Sequence, residues 1–119
     1  MTIRRIVPLI EAADPAASRA FYVDVLGLEV AMDMGWIVTF ASPSNATAQL
    51  SVIRPSTDSA IQPDISIEVS DVDACHARAV AQGCAIVYPL TDEPWGVRRF
   101  FVREPNGKVI NVLSHRAAA

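Results

Sequence analysis

A chain of 119 residues, 51 % of them apolar, is long enough to bury a core as one compact domain or as two very small halves sharing one. Its prolines and glycines are spread along the chain rather than pooled, which excludes disorder away from the ends. A net charge of −3 with a single lysine, Lys108, excludes the basic footprint that nucleic acid requires.

Met1-Thr2-Ile3-Arg4-Arg5 is not followed by the long apolar run of a signal peptide or a spanning helix. A cytoplasmic protein without a membrane partner is therefore expected, with Cys75 and Cys84 as buried free thiols. Ile3 to Glu11, rich in Ile, Val and Leu, reads as a strand, and Pro8 within it marks an edge or a bulge. Asp14 is placed to cap a helix that begins on Pro15, with Ala17, Ala20, Phe21, Val25 and Leu26 on its buried face and Gly27 at its end. Leu28 to Met34, Trp36 to Ala41 and Ala48 to Arg54 follow as three strands, split by Met34-Gly35 and by Ser42-Pro43-Ser44-Asn45.

Arg54 to Pro63 has no periodicity and reads as a connector. Asp64 to Val69 is the next strand, and Ser70 or Asp71 caps a helix to Gln82 with Val72, Cys75, Ala79 and Val80 on its apolar side. His76 on that helix is read as solvated. Ala85 to Leu90, Arg98 to Arg103 and Lys108 to Leu113 complete the strands. Glu104-Pro105-Asn106-Gly107 joins the last two as a tight hairpin turn. Arg116-Ala117-Ala118-Ala119 reads as a frayed end.

The same order thus occurs twice. Asp14 and Asp71 lie 57 residues apart and Gly27 and Gly83 lie 56 apart, the mark of a duplicated supersecondary unit. The predicted fold is α+β: one domain, 1–119, of two tandem β-α-β-β-β modules, about 3–54 and 64–115, joined by the connector 55–63. Each sheet has one face under its helix. In the strand Asp64 to Val69, Ile65, Ile67 and Val69 belong to that face, while Asp64, Ser66 and Glu68 look out of the other. Gln49 and Ser51, and likewise Asn111, alternate with apolar neighbours in the same way. That polar side faces solvent or a cup that two modules enclose together, within one chain or exchanged between subunits of a dimer.

Asp14 to Val30, with its Ala20-Phe21-Tyr22 and Leu26-Gly27-Leu28, resembles the signature helix and turn of the glyoxalase / bleomycin-resistance / extradiol dioxygenase superfamily, the vicinal oxygen chelate proteins. Trp95 to Gly107 is similar to that superfamily's last hairpin, and the resemblance covers nearly the whole chain. For metal-dependent members the resemblance implies His and Glu ligands on the first and last strands of the modules. Those positions register here onto Val7, Asp64, Asn111, and Gln49 or Ser51. No imidazole is among them, and the only histidines, His76 and His115, lie elsewhere. The expectation is accordingly no metal, no cofactor and no assigned catalytic residue.

The resemblance then implies a binding protein of the bleomycin-resistance type, usually a homodimer, that sequesters an aromatic, antibiotic-like small molecule. Trp36 and Trp95 are the candidates for stacking on it. Gln49, Ser51, Asp64 and Asn111 are the candidates for its polar contacts, Asp64 also as the group that meets a cationic ligand. Arg98, Arg99 and Arg103 surround Phe100-Phe101, and two of the three must share a face. The alternatives are a lyase, isomerase or dioxygenase with a substrate-completed metal site, and a non-catalytic sensor or interaction module whose open face is a protein interface.

Overall fold

The computed structural model describes residues 1–55 and 61–116. Part of the expected connector, residues 56–60, and the alanines read as a frayed end, residues 117–119, lie outside the described residues. The architecture is α+β, with eight strands and few helices among the described residues. β1 (Ile3–Glu11), β2 (Glu29–Asp33), β3 (Ile37–Ala41) and β4 (Gln49–Ile53) come from the first module, and β5 (Ile65–Val69), β6 (Ile86–Asp92), β7 (Val97–Arg103) and β8 (Val109–His115) from the second. The one α-helix among the described residues, α1, spans Val72–Ala81. The chain divides into two compact units, one running from Ile6 to the connector, the other taking in Met1–Arg5 and the chain from Ile61 on.

Each unit has the same strand order, which is the duplication seen in three dimensions. In the first the order is β2-β3-β4-β1, and in the second β6-β7-β8-β5. In both, the module's first strand runs parallel to its last, as β1 to β4 with Leu9 opposite Ser51 and as β5 to β8 with Ser66 opposite Asn111. The remaining pairs are antiparallel. The turn between β7 and β8 is the expected one. Gly107 takes φ 86°, a conformation that L side chains rarely adopt, and its N–H donates to the Glu104 carbonyl at 2.9 Å. The Glu104 carboxylate then accepts from the N–H groups of Lys108 and Asn106, and the bond from Lys108 does most to hold its pKa below the usual range.

α1 forms where capping and periodicity place it. The Asp71 side chain accepts from the Ala74 N–H at 3.0 Å, and Val72, Cys75 and Ala79 lie over a core of Val69, Phe100 and Val112. Burial raises the pKa of the Cys75 thiol. Three expectations on this side are corrected. Val80 is 56 % exposed, one position beyond the apolar stripe. Cys84 is exposed beyond the helix end, while Cys75 is only half-buried; both are free thiols. His76 is not simply solvated, since its ring stands edge-on to Phe100 with centroids 4.9 Å apart.

The first module's helix departs further from expectation. Asp14 caps it, accepting from the Ala16 N–H at 3.2 Å, and Pro15 is buried at its start. Instead of an α-helix there follow a 3₁₀ turn, Pro15–Ser18, and a wide π-type turn, Ala20–Val25. Leu26 N–H reaches back five residues to the Phe21 carbonyl at 3.1 Å, and Leu28 N–H reaches six to Tyr22 at 2.9 Å. Tighter and wider turns shift the phase of the apolar stripe. Tyr22 and Val23 therefore pack on the core of Val38, Phe40 and Val52, while Ala17, Ala20, Phe21, Val25 and Leu26, the expected buried face, are exposed.

Phe100 is fully buried at the centre of the second unit's core. Phe100→Ala is expected to cost about 3–5 kcal/mol, read as a lower midpoint in urea denaturation with an unchanged slope.

Candidate functional site

The second unit's sheet has two chemically different faces because β5, β8, β7 and β6 are held in one register. Ile67, Phe100, Val102, Ile110 and Val112 turn toward α1. On the other face Ser66, Asn111, Phe101 and Tyr88 form a row across four strands, and Glu68, Leu113, Arg99 and Thr91 form the next. This open face is the candidate site.

Asn111 is 8 % exposed. Its Nδ2 donates to the Ser66 hydroxyl at 3.0 Å, and its Oδ1 has no hydrogen-bond partner. Turning the amide over would satisfy the oxygen and orphan the nitrogen, so one end of a buried amide is left over either way. Beside it Phe101 stacks on Tyr88 with centroids 4.7 Å apart and a tilt of 32°. The Arg99 guanidinium carbon lies 4.8 Å from the Phe101 ring centre, 5.3 Å from Tyr88 and 5.2 Å from Trp95. Nη2 of Arg99 pairs with the buried Glu93 carboxylate at 2.8 Å, and the Tyr88 hydroxyl donates to the same carboxylate at 3.1 Å. These two donors offset the desolvation of Glu93. Nε of Arg99 is buried and has no partner. Glu93 to Gly96 make a tight turn, with Gly96 N–H on the Glu93 carbonyl, that leaves the Trp95 indole 62 % exposed above Arg99.

The register assigns the three arginines that the sequence left open. Arg98 goes to the helix side, bonding Asp73 at 2.9 Å and Asp92 at 3.1 Å. This hydrogen bond lowers the pKa of Asp73, and its counterpart raises that of Arg98. Arg99 lies on the open face, and Arg103 donates to the Gly107 carbonyl at 2.8 Å.

At the end of the same face Glu68 accepts from Arg5 Nε at 2.8 Å and meets His115 Nδ1 at 2.6 Å. Burial pulls the Glu68 carboxyl pKa up, but the His115 hydrogen bond and the Arg5 charge outweigh it and hold it below its ordinary value.

Of the expected ligand-binding residues, Trp95 and Asn111 share this face, linked through Arg99 and Phe101. Asp64 stands at the start of β5 with its carboxylate engaged, Oδ2 accepting from the Val109 N–H at 2.9 Å while its own N–H donates to the Val109 carbonyl. Trp36, Gln49 and Ser51 belong to the first unit. Trp36 is 48 % exposed just ahead of β3. Gln49 donates through Nε2 to the Ala46 carbonyl at 2.6 Å, and the Ser51 hydroxyl is buried against that of Thr39 at 2.7 Å. Tyr88, Glu93 and Arg99 were not among the expected site residues. The tight spacing of Glu93, Trp95 and Arg99 around Pro94 and Gly96 is the only sequence signal for them, and it does not reveal which face Arg99 takes.

A model of the glyoxalase/bleomycin resistance protein/dioxygenase superfamily matches residues 5–112. The chain belongs to that superfamily. No curated protein sequence matches it. Among solved structures it is similar to a superfamily member from Vibrio splendidus 12B01, with 20 % identity over 95 % of this chain and 99 % of that one and a TM-score of 0.70. It is also similar to a methylmalonyl-CoA epimerase variant from Streptomyces coelicolor in complex with 2-nitronate-propionyl-CoA, with 21 % identity over 98 % and 100 % of the two chains and a TM-score of 0.71. A variant of homoprotocatechuate 2,3-dioxygenase from Brevibacterium fuscum matches with 23 % identity over 98 % of this chain and 34 % of that one, at a TM-score of 0.69. At these identities the likeness is one of fold.

The superfamily's metal-dependent members raise the question of whether this chain's residues fit a divalent ion. They do not. Val7 offers no donor, Asn111 and either Gln49 or Ser51 offer only neutral groups, and the one carboxylate, Asp64, already accepts a backbone N–H. Among the described residues no three His, Cys, Asp or Glu side chains gather to hold a metal ion.

The Glu68 carboxylate generates a pH prediction. Its folded pKa lies below the ordinary 4.5, so its interactions add stability that is fully present above that value and is lost as the pH falls through the folded one. Glu68→Gln is expected to lower the melting temperature at neutral pH and to flatten its fall between about pH 5 and pH 3, followed by thermal melts at several pH values.

Proposed function

We propose that this superfamily member is a metal-free small-molecule binding protein that sequesters an aromatic, antibiotic-like ligand on the open face of its second module. The observation that carries the reading is Asn111. A buried amide with one end unpartnered, in a row of Tyr88 and Phe101 and beside Arg99 and Trp95, is the arrangement that an aromatic ligand with a polar edge would complete. In this reading Trp95, half open above a guanidinium, supplies the stacking surface and Asn111 the hydrogen bond that orients the ligand. Asp64 contributes through the strand end it fixes. Binding alone is the mechanism, since the residues at the metal positions do not form a donor set for Lewis-acid chemistry.

The reading includes a homodimer. Phe21, Val25 and Leu26 are 53 %, 69 % and 56 % exposed on one wide turn, an apolar strip that a second copy would cover. It also includes a cytoplasmic setting, supported by two free thiols. No helix among the described residues is long and apolar enough to cross a membrane.

Isothermal calorimetry with metal-free bleomycin and a panel of fused-ring aromatics tests the proposal. Saturable binding is expected for at least one probe, weakened about tenfold or more in Trp95→Ala and in Asn111→Leu, since a lost stack or a lost buried hydrogen bond is worth about 1.4 kcal/mol or more. Binding that is unchanged in both variants, or absent across the panel, would overturn it.

A further inference from the structure

The second unit has another concave feature, at the end where β5 and β8 finish, separate from the aromatic row and independent of the reading above. It is a cleft of about 330 Å³ lined by Arg4, Glu68, Ser70, Ser114, His115 and Arg116. Its charges are unbalanced. Glu68 is the one carboxylate lining it, and both of that residue's oxygens are engaged, Oε1 by Arg5 at 2.8 Å and Oε2 by His115 at 2.6 Å. Arg4 has no hydrogen-bond or ion-pair partner among the described residues. Arg116 reaches only Asp92 Oδ1, at 3.5 Å, and that oxygen is held more closely by Arg98 at 3.1 Å. Arg4 thus lines the cleft without a counter-charge, and Arg116 only shares the Asp92 carboxylate with Arg98.

The hydroxyls differ in the same respect. Ser114 is saturated, accepting from the Val72 N–H at 3.0 Å and donating to the Val69 carbonyl at 2.7 Å. Ser70 accepts from the Thr2 N–H at 2.7 Å, which leaves its own O–H to donate. His115 donates through Nδ1 to the Glu68 carboxylate, so a neutral ring keeps only an acceptor at Nε2. Two planar five-donor cations and one spare hydroxyl donor suit an oxyanion, in an open cleft that Val69 also lines.

We propose that this cleft is a second binding site, for a small oxyanion of the phosphate or carboxylate class, with Arg4 and Arg116 as its clamp and Ser70 as its hydroxyl donor.

The test is a titration of the full chain, at constant ionic strength, with sodium phosphate in one arm and sodium acetate in the other, followed by ¹H–¹⁵N spectra. Saturable shifts are expected at the amides of Ser70, Ser114 and His115. Arg4→Gln and Arg116→Gln are each expected to weaken binding about tenfold, Arg4→Lys less, and Trp95→Ala not at all. Tighter binding of phosphate assigns the phosphate class, and tighter binding of acetate the carboxylate class. Both glutamine variants are at exposed side chains, and their spectra report directly whether the fold is kept. Shifts that rise linearly without saturating, or saturable shifts of equal affinity in both glutamine variants, would overturn the proposal.

Discussion

The parallel pairing of β5 with β8 is the constraint on which the second unit depends. It joins segments far apart in sequence and is clipped at both ends by side chains. At one end Asp64 exchanges two hydrogen bonds with Val109, one through its backbone and one through its carboxylate. At the other, Ser114 bridges the Val69 carbonyl and the Val72 N–H, tying β8 both to the end of β5 and to the first residue of α1. A slip of one residue would turn Asn111 under the helix and Val112 out to the open face, so the clips decide which chemistry each face carries.

From that register the two faces acquire opposite tasks. The α1 side is a closed apolar core with Phe100 at its centre. The open side concentrates groups that are costly to bury: an amide with a free end, a guanidinium among three rings, and a carboxylate held by an arginine and a tyrosine. Native interiors leave few such groups unsatisfied, which makes Asn111 and Arg99 the residues around which a ligand is most readily imagined. The Glu68 carboxylate at the end of the same face is satisfied by Arg5 and His115, which leaves Arg4, and Arg116 with its shared hold on Asp92, to attract an anion from outside.

Membership of the superfamily and the likeness to an epimerase and a dioxygenase describe a scaffold that accommodates several activities. At the positions that the resemblance registers as ligand positions this chain has Val7, Asn111 and Asp64, and the Asp64 carboxylate accepts from the Val109 N–H.

The fold was largely legible in the sequence. Strand alternation, the capping aspartates Asp14 and Asp71, the positive-φ glycines after each helix and the turn at Glu104 to Gly107 are local signals, set by backbone sterics and by period-two or near-four patterning. Their repetition announced two modules, and of the expected ligand contacts Asn111 and Trp95 are the two that the structure brings to one face. The first helix was misread in detail, because the pattern of apolar residues does not report a wide turn: Tyr22 and Val23 were chosen for the core by contact with Phe40, not by spacing. The partners of Arg98, Arg99 and Arg103, and the meeting of Glu68 with Arg5 and His115, belonged to tertiary structure alone. Each depends on the register between strands distant along the chain, and no local propensity carries that information.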